Sequence, residues 1–507
     1  MERRGKALLD HRGNPIRLDT AREQLRPSWP GSRIQARYDA SITTRETERY
    51  WAWTDATSAK FANSKDVRRT LRMRSRYEIA NNSYAAGMIS TLANDCIGTG
   101  PRLQMLTPDR ILNRAIEEQF RIWSRAIRLP QKLRTMRRAL CVDGEAFGLW
   151  VNNEGLSTPV KLDLRLIEAD QVSSPFLNPI DPLRVDGIWY DVFGNPIQYD
   201  LLRFHPGDYY QLGLIADPID ARLMIHWFRV DRPGQLRGIP EITPALLLYP
   251  QLRRYTLAVL AAAETAADFA AILYSEMPPD TGTEDDVEPF IPVEIERRMM
   301  TTLPMGWKMS QFKPEQPATG YAEFKKEILN EIARCINMPF NVAAGNSSNY
   351  NYSSGRLDHQ VYHKALGVDR ADIELIILEP VLTSWIQEAW LAYAGLIPDG
   401  PDRIEGWAHQ WFWDGFGHID PHKDAQAQQT RLQNCTTTLK RECAREGLDS
   451  EVIIRERAKE LEMMSRYGIP LTWNPLATLP MPAEDEEIEV EPEEEEEESQ
   501  EEKVEDY

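Results

Sequence analysis

The sequence predicts a multidomain α+β protein, and three observations carry that reading. At 507 residues the chain is long enough for several domains of roughly 100–200 residues each. Val160-Lys-Leu-Asp-Leu-Arg-Leu166 alternates strictly, with apolar residues at even positions, which is the period of a half-buried strand. Apolar residues recur at three- and four-residue steps on both sides of the strand region, so helices precede it and return after it. Helices followed by mixed strands over about 65–235 form an α+β order.

The elements follow along the chain. Residues 1–62 are polar and Arg-rich, an arm expected to wrap partners or to be disordered when free. Asn63 to Asn94 reads as one helix, capped by Asn63 or Ser64 and stopped by Ile97-Gly98-Thr99-Gly100-Pro101. Helical patterns follow at Ile111 to Trp123 and around Leu133 to Cys141. After the strand at 160–166, Trp189 to Phe204 reads as a hairpin turning at Gly194-Asn195-Pro196, and Leu223 to Val230 as a further strand. Thr243-Pro244 fits a cap followed by a first-turn proline, opening a helix to about Leu273 with a kink expected at Pro250. Residues 276–317 are Pro-rich and irregular, with an acidic patch at Glu284, Asp285, Asp286 and Glu288. Tyr321, Phe324, Ile328, Ile332 and Cys335 mark an amphipathic helix that stops before Pro339. A long helical stretch runs from about Gly355 to Tyr393, interrupted near Pro380. After a connecting segment at 399–420, Asp420-Pro421 opens a helix-rich part reaching Tyr467, with a cap at Asp449 or Ser450. Residues 481–507 are an acidic tail expected to be disordered.

Between the last two long helical patterns lies Asn346-Ser347-Ser348-Asn349-Tyr350-Asn351-Tyr352-Ser353-Ser354, with no charge and no aliphatic side chain. Asn and Ser side chains bond nearby backbone and compete with helix, so this is a polar loop held between two helices. An ordinary surface loop is the plain alternative.

Charge is distributed unevenly. Residues 484–507 carry a net −15 of the overall −19, and the first eighty residues a net +8. The body is nearly neutral, with a basic front and an acidic tail. The five cysteines are odd in number and widely spaced, without a Cys-x-x-Cys pair, which argues against a disulfide framework or zinc ribbon and for a reducing compartment. The first thirty residues lack the apolar core of a secretory signal. The most apolar run, Leu257 to Leu273, contains Glu264 and Asp268 and falls short of the ~20 apolar residues that span a bilayer, so it reads as a buried helix.

Catalytic motifs are weak. His359 and His363 have metal-ligand spacing, yet the intervening Gln360 stands where a His-Glu-x-x-His motif has its general base. Core or surface histidines are the plain reading. His409, His418 and His422 lie in an aromatic-rich segment that suggests packing. Gly345-Asn-Ser-Ser-Asn349 fails the nucleophile-elbow pattern at its last position, and no phosphate-binding Gly-x-x-x-x-Gly-Lys-Ser/Thr loop occurs. The sequence therefore predicts no enzyme, no cofactor and no metal. The Arg68, Arg69, Arg72, Arg74 and Arg76 cluster is a candidate contact for nucleic acid or for an acidic protein surface, against a plain solvated helix face.

Asn351-Tyr352-Ser353-Ser354-Gly355-Arg356 resembles the tunnel-loop run of lambda-type phage portal proteins. Arg76 to Tyr84, Gly98-Thr99-Gly100-Pro101, Asp143-Gly144-Glu145, Arg237-Gly238-Ile239-Pro240 and Asp420-Pro421-His422-Lys423 are similar to that family as well, in the same order. The resemblance covers roughly 35–470. It implies a portal fold: a mixed α/β wing at 63–240, stem helices at 241–275 and 318–339 around a clip at 276–317, a tunnel loop at 340–354, a long wing helix at 355–398 and an α-helical crown at 421–480. It also implies a homo-oligomeric ring, expected to be a dodecamer, at one capsid vertex of the virion after synthesis in the host cytoplasm. Its partners would be double-stranded DNA of any sequence, the terminase large subunit, a head-tail connector or adaptor, and the major capsid protein, with no membrane. Two other readings stay open at this point: a metal-dependent hydrolase using His359 and His363, and a DNA-binding head-tail adaptor using the basic front.

Overall fold

The computed structural model describes residues 56–174, 183–208, 215–268, 272–275, 307–310, 318–348, 351–393, 407–416 and 421–468. The chain divides into a unit from Met1 to Phe61, of which 56–61 are described, and a unit from Ala62 to Tyr507 that holds every element below. The basic arm before 56, most of the Pro-rich segment 276–317 and the acidic tail lie outside the described residues.

The second unit is a multidomain α+β architecture. Helix α1 (Lys65–Asn81) and α2 (Ser83–Ile97) replace the single helix expected over 63–94. The break is chemical. Asn82 takes an extended conformation, and its side chain accepts hydrogen bonds from the backbone N–H groups of Tyr84 and Ala85, starting a new helix. Ser64 stands at the start of α1 but makes no side-chain cap. Asn63 is diverted as well, donating its amide to the carbonyl of Arg237. Strand β1 (Arg102–Met105), which the sequence did not suggest, is followed by α3 (Arg110–Ala126), capped by Asp109, and α4 (Leu129–Asp143), ended by left-handed Gly144.

Strands β2 (Glu145–Asn152), β3 (Leu162–Ile167) and β8 (Met224–Phe228) form an antiparallel sheet with β2 in the centre. Strands β4 (Arg184–Val185), β5 (Ile188–Tyr190), β6 (Pro196–Leu202) and β7 (Ala216–Asp220) form a second antiparallel sheet, with the expected turn at Gly194 between β5 and β6. Alternation along β2 divides two cores. Ala146 and Trp150 join the helical core, whereas Phe147 and Leu149 join Val185, Ile188 and Tyr199 of the second sheet. The central strand is therefore buried on both faces.

Helix α5 spans Leu248–Asp268. Three expectations fail here. Pro250 falls in its first turn, where a missing N–H leaves no helical bond unmade, so no kink is required. Thr243 does not cap, because its hydroxyl donates to the Pro240 carbonyl and its residue opens a short 3₁₀ turn (Thr243–Ala245). Nor is the apolar stretch beginning at Leu257 buried: Leu257 and 260–264 are exposed. Strands β9 (Ile272–Ser275) and β10 (Trp307–Ser310) pair antiparallel, and α6 covers Ala318–Arg334. Helix α7 (Phe340–Ala344) precedes α8 (Tyr352–Ile373), a π-helical turn (Glu374–Leu378) and α9 (Glu379–Ala392). The expected interruption near Pro380 takes the form of that π turn. Proline at 380 offers no N–H to the preceding turn and would crowd its carbonyl in a regular α-helix. Strand β11 (His409–Phe412) pairs with β1, Arg102 opposite Phe412, tying the connecting segment to the first domain. Helices α10 (Pro421–Gln433), α11 (Leu439–Arg445) and α12 (Ser450–Arg466), the last capped by Asp449, complete the chain. No described helix is long and apolar enough to cross a membrane.

The domain is organised around Glu145, which is fully buried. Its carboxylate accepts from Arg237 Nε and Nη2 at 2.7 Å each, from Arg72 Nη2 at 2.8 Å and from the Gly238 N–H at 2.7 Å. Two glycines permit this approach. A Cβ on Gly238 would lie 2.0 Å from the Gly144 carbonyl oxygen, and one on Gly144 would lie 2.3 Å from the Ile239 carbonyl carbon. Asp143-Gly144-Glu145 and Arg237-Gly238-Ile239 are thus two halves of one interlock. Burial opposes the charge on Glu145, but Arg237, helped by Arg72, outweighs it and holds the carboxyl well below the usual carboxylate range.

Replacing Glu145 by Gln leaves Arg237 and Arg72 buried without their counter-charge. It is expected to lower unfolding free energy by about 3–5 kcal/mol in urea titration. The folded carboxyl titrates below its unfolded value of about 4.3. Its stabilisation is therefore complete above that value and is lost as pH falls through the folded one. Wild-type stability should drop more steeply than that of the Gln variant below about pH 4.3. Gly238→Ala is expected to cost about 1–3 kcal/mol through overpacking alone, read as a lower thermal midpoint.

A candidate channel loop and its anchoring

Three of the five arginines expected to meet nucleic acid or capsid point inward. Arg68 is buried and pairs with Asp186; burial, then Arg237, pushes its guanidinium down to about 10, still protonated at neutral pH. Arg72 serves Glu145 and Asp170 and also donates to the Asp143 carbonyl. Arg76, half-buried, holds Asp143 at 2.6 Å and Asp170 at 2.7 Å. This corrects the expectation of a five-residue basic face. The reason is helical spacing, since positions 68, 72 and 76 share one stripe of α1 and that stripe faces the carboxylates of β2 and its neighbours. Arg69 and Arg74 are exposed.

The polar loop begins where α7 ends. Gly345 takes a left-handed φ of +62°, which closes the helix and turns the chain outward. Asn346 then accepts from the Ser348 N–H at 2.9 Å, an Asx turn that explains asparagine there. Residues 345–348 and Asn351 are exposed. The Asn351 carbonyl accepts from the Gly355 N–H, so α8 starts at Tyr352, three residues earlier than the sequence pattern suggested. Asn349 and Tyr350, and the side chains of Tyr352, Ser353 and Ser354, lie outside the described residues.

The base of this loop is fixed. Asn341 on α7 meets His359 Nε2 on α8 at 3.0 Å. His363 stacks on Phe416 with ring centroids 3.9 Å apart. Tyr362 donates its hydroxyl to Asp95 at 3.0 Å. Arg370 donates to the carbonyls of Asp95 and Cys96 and lies over the rings of Trp413 and Phe416. Deeper in the core, Asp369 accepts from Arg137 at 2.8 and 3.1 Å and from Arg229 at 2.8 Å, while Arg137 also reaches Glu241. Burial opposes ionisation of Glu241, but Arg137 and Arg229 outweigh it and hold its carboxyl below the ordinary range. These bonds tie α8 to α2, α4 and the segment after β8.

This geometry gives both histidines structural work. His359 bonds Asn341 and His363 stacks on Phe416. The His/Cys/Asp/Glu group with ligand-like geometry among the described residues lies elsewhere, at Glu168, Asp170 and His205. There Arg72 and Arg76 already supply positive charge to Asp170. His409 pairs with Glu379 at 2.9 Å and His422 is exposed, while His418 lies outside the described residues.

Sequence reasoning missed the roles of Glu145, Arg237, Arg137 and Asp369. A signal was present, since Glu145 and Arg237 each lie beside a glycine within apolar surroundings. Charge next to a residue without a side chain is the pattern of a close buried approach.

Residues 45–366 match the family described as phage portal protein, lambda family. The chain is 25% identical over 467 residues to a probable portal protein of Halomonas phage phiHAP-1, covering 84% of this chain and 87% of that protein. Among solved structures it is similar to a chain of the virion of a native gene transfer agent particle, at TM-score 0.40 and 12% identity, covering 78% of this chain and 94% of that one. A chain from the neck of an empty particle of that agent gives TM-score 0.39 and 13% identity, covering 74% and 92%.

Replacing Arg72 by Gln is expected to lower the thermal midpoint while leaving salt-dependent retention on DNA within twofold of wild type. A substantial loss of DNA retention in a variant that still folds would restore Arg72 as a surface contact.

Proposed function

The chain belongs to the lambda family of phage portal proteins, and from that premise we propose that its copies close into a dodecameric ring whose bore passes double-stranded DNA during packaging and ejection. It is a structural protein of the virion, located at the portal vertex, rather than an enzyme. In this reading residues 63–240 form the wing, 241–275 and 318–339 the stem, 276–317 the clip, 340–354 the tunnel loop, 355–398 the long wing helix and 421–480 the crown. The ring docks the terminase large subunit, later a head-tail connector or adaptor, and sits against the major capsid protein.

The observation that carries the DNA role is the contrast between the loop and its support. The described tip, Asn346 to Ser348, is exposed and uncharged, with local hydrogen bonds among the described residues, yet it hangs from a helix held by Arg370, Asp369, Tyr362 and His359. A channel for moving DNA must touch it without holding it. Each phosphate neutralised by a cation releases counterions and adds affinity, so a ring of lysines would retard sliding. Amide and hydroxyl groups offer exchangeable hydrogen bonds that read no sequence. The full stretch Asn346 to Ser354 keeps this chemistry throughout.

Native mass spectrometry of the purified protein is expected to give a closed oligomer of uniform copy number; a monomer at all concentrations overturns the reading. Ser347→Lys with Ser348→Lys should leave the ring intact and slow packaging several-fold, with the defect relieved as salt rises. Unchanged packaging by lysine-lined rings would remove the loop from the channel.

A further inference from the structure

Helix α8 and the π-helical turn after it bury one side in the core and leave a mostly apolar seam on the other. Leu357, Val361, Lys364, Val368, Ala371 and Leu375 follow one another at steps of four, three, four, three and four. All six are exposed, and the four large apolar members keep between 55 and 71% of their surface in water. That spacing is the heptad signature of a helix awaiting another helix, with β-branched Val361 and Val368 at equivalent positions. Asp358 and Asp372 flank it on one side.

A second seam of the same kind lies on α1. Thr70, Met73, Tyr77 and Ala80 follow at three, four and three, all exposed, with Met73 62% and Tyr77 56% accessible. Its flanks are basic. Arg69 and Arg74 are exposed, and neither makes an ion pair among the described residues, whereas their neighbours Arg68, Arg72 and Arg76 all do. Both helices pack against α2, so each turns only one side inward.

We infer that the acid-flanked seam of α8 in one copy receives the base-flanked seam of α1 from a second copy of this chain. The inference rests on the ring reading above and deepens it by naming the two faces. A closed ring of identical subunits requires two different, complementary patches on each copy. The two seams share a three-and-four spacing, are mostly apolar apart from Lys364, and carry flanking charges of opposite sign. Seating the α1 seam also covers Met73 and Tyr77, whose exposure on a lone chain is otherwise unfavourable.

Charge reversal tests this in the full chain. The R69E/R74E variant and the D358K/D372K variant should each reduce the fraction of protein in closed rings at least tenfold at matched concentration, with circular dichroism unchanged. Combining all four changes should restore rings to within threefold of wild type. A second measurement uses Met73→Cys with Val368→Cys in a Cys435→Ser background. Mild oxidation should give a ladder of covalent multimers that neither single cysteine gives. Wild-type rings with no ladder and no effect of either charge reversal would overturn the seam assignment while leaving the ring reading intact. Wild-type protein that forms no ring would overturn both.

Discussion

One buried carboxylate fixes the arrangement of the first domain. Glu145 begins the central strand of the sheet, and removing it from water is costly unless its charge is met at close range. Arg237 and Arg72 meet it from opposite parts of the chain, and the Gly238 N–H supplies a further bond. The pairing outweighs the desolvation and holds the carboxyl well below its usual range, and it also selects one arrangement of the chain. Any register that separates these groups leaves a charge buried alone. In the proposed ring identical copies would matter, because a heterologous contact closes only if each copy presents the same angle.

A second charged cluster carries that definition into the long helix. Arg137 on α4 joins Glu241, which follows the Arg237-Gly238-Ile239-Pro240 segment, to Asp369 on α8. Arg370 and Tyr362 then fasten the neighbouring turns to α2. The consequence is a sharp change of character along α8. Its middle is locked by ionic and aromatic contacts, while the described part of the polar loop, residues 346–348, is exposed and makes an Asx turn, with the Asn341–His359 contact at its base. The proposed channel role, a loop that accommodates passing duplex while its support stays fixed, would call for this division.

Much of the element order was legible because periodicity reports burial directly. The strand at 162–167, the hairpin at Gly194, the amphipathic α6 and the Asp449 cap all follow from local pattern. The misses share a cause, which is competition from partners distant in sequence. Asn82 splits a continuous helical pattern because its side chain caps better than it propagates. Asn63 leaves its capping position for Arg237, 174 residues away. Strands β1 and β11 are four residues each and separated by some three hundred positions, too short to show a period. The arginine cluster looked like a surface because composition counts charge without locating its counter-charge. Only the three-dimensional position of Asp143, Glu145, Asp170 and Asp186 separates Arg68, Arg72 and Arg76 from Arg69 and Arg74.

The central claim is that an uncharged loop, carried on a firmly anchored helix, lines the bore of a ring. Electron cryo-microscopy of the assembled protein, at a resolution that traces residues 340–356, tests it most directly. The account predicts that Asn346, Ser347 and Ser348 lie at the inner radius, nearest the symmetry axis. Finding that segment on the outer wall of the ring, with lysine or arginine side chains forming the constriction instead, would contradict it.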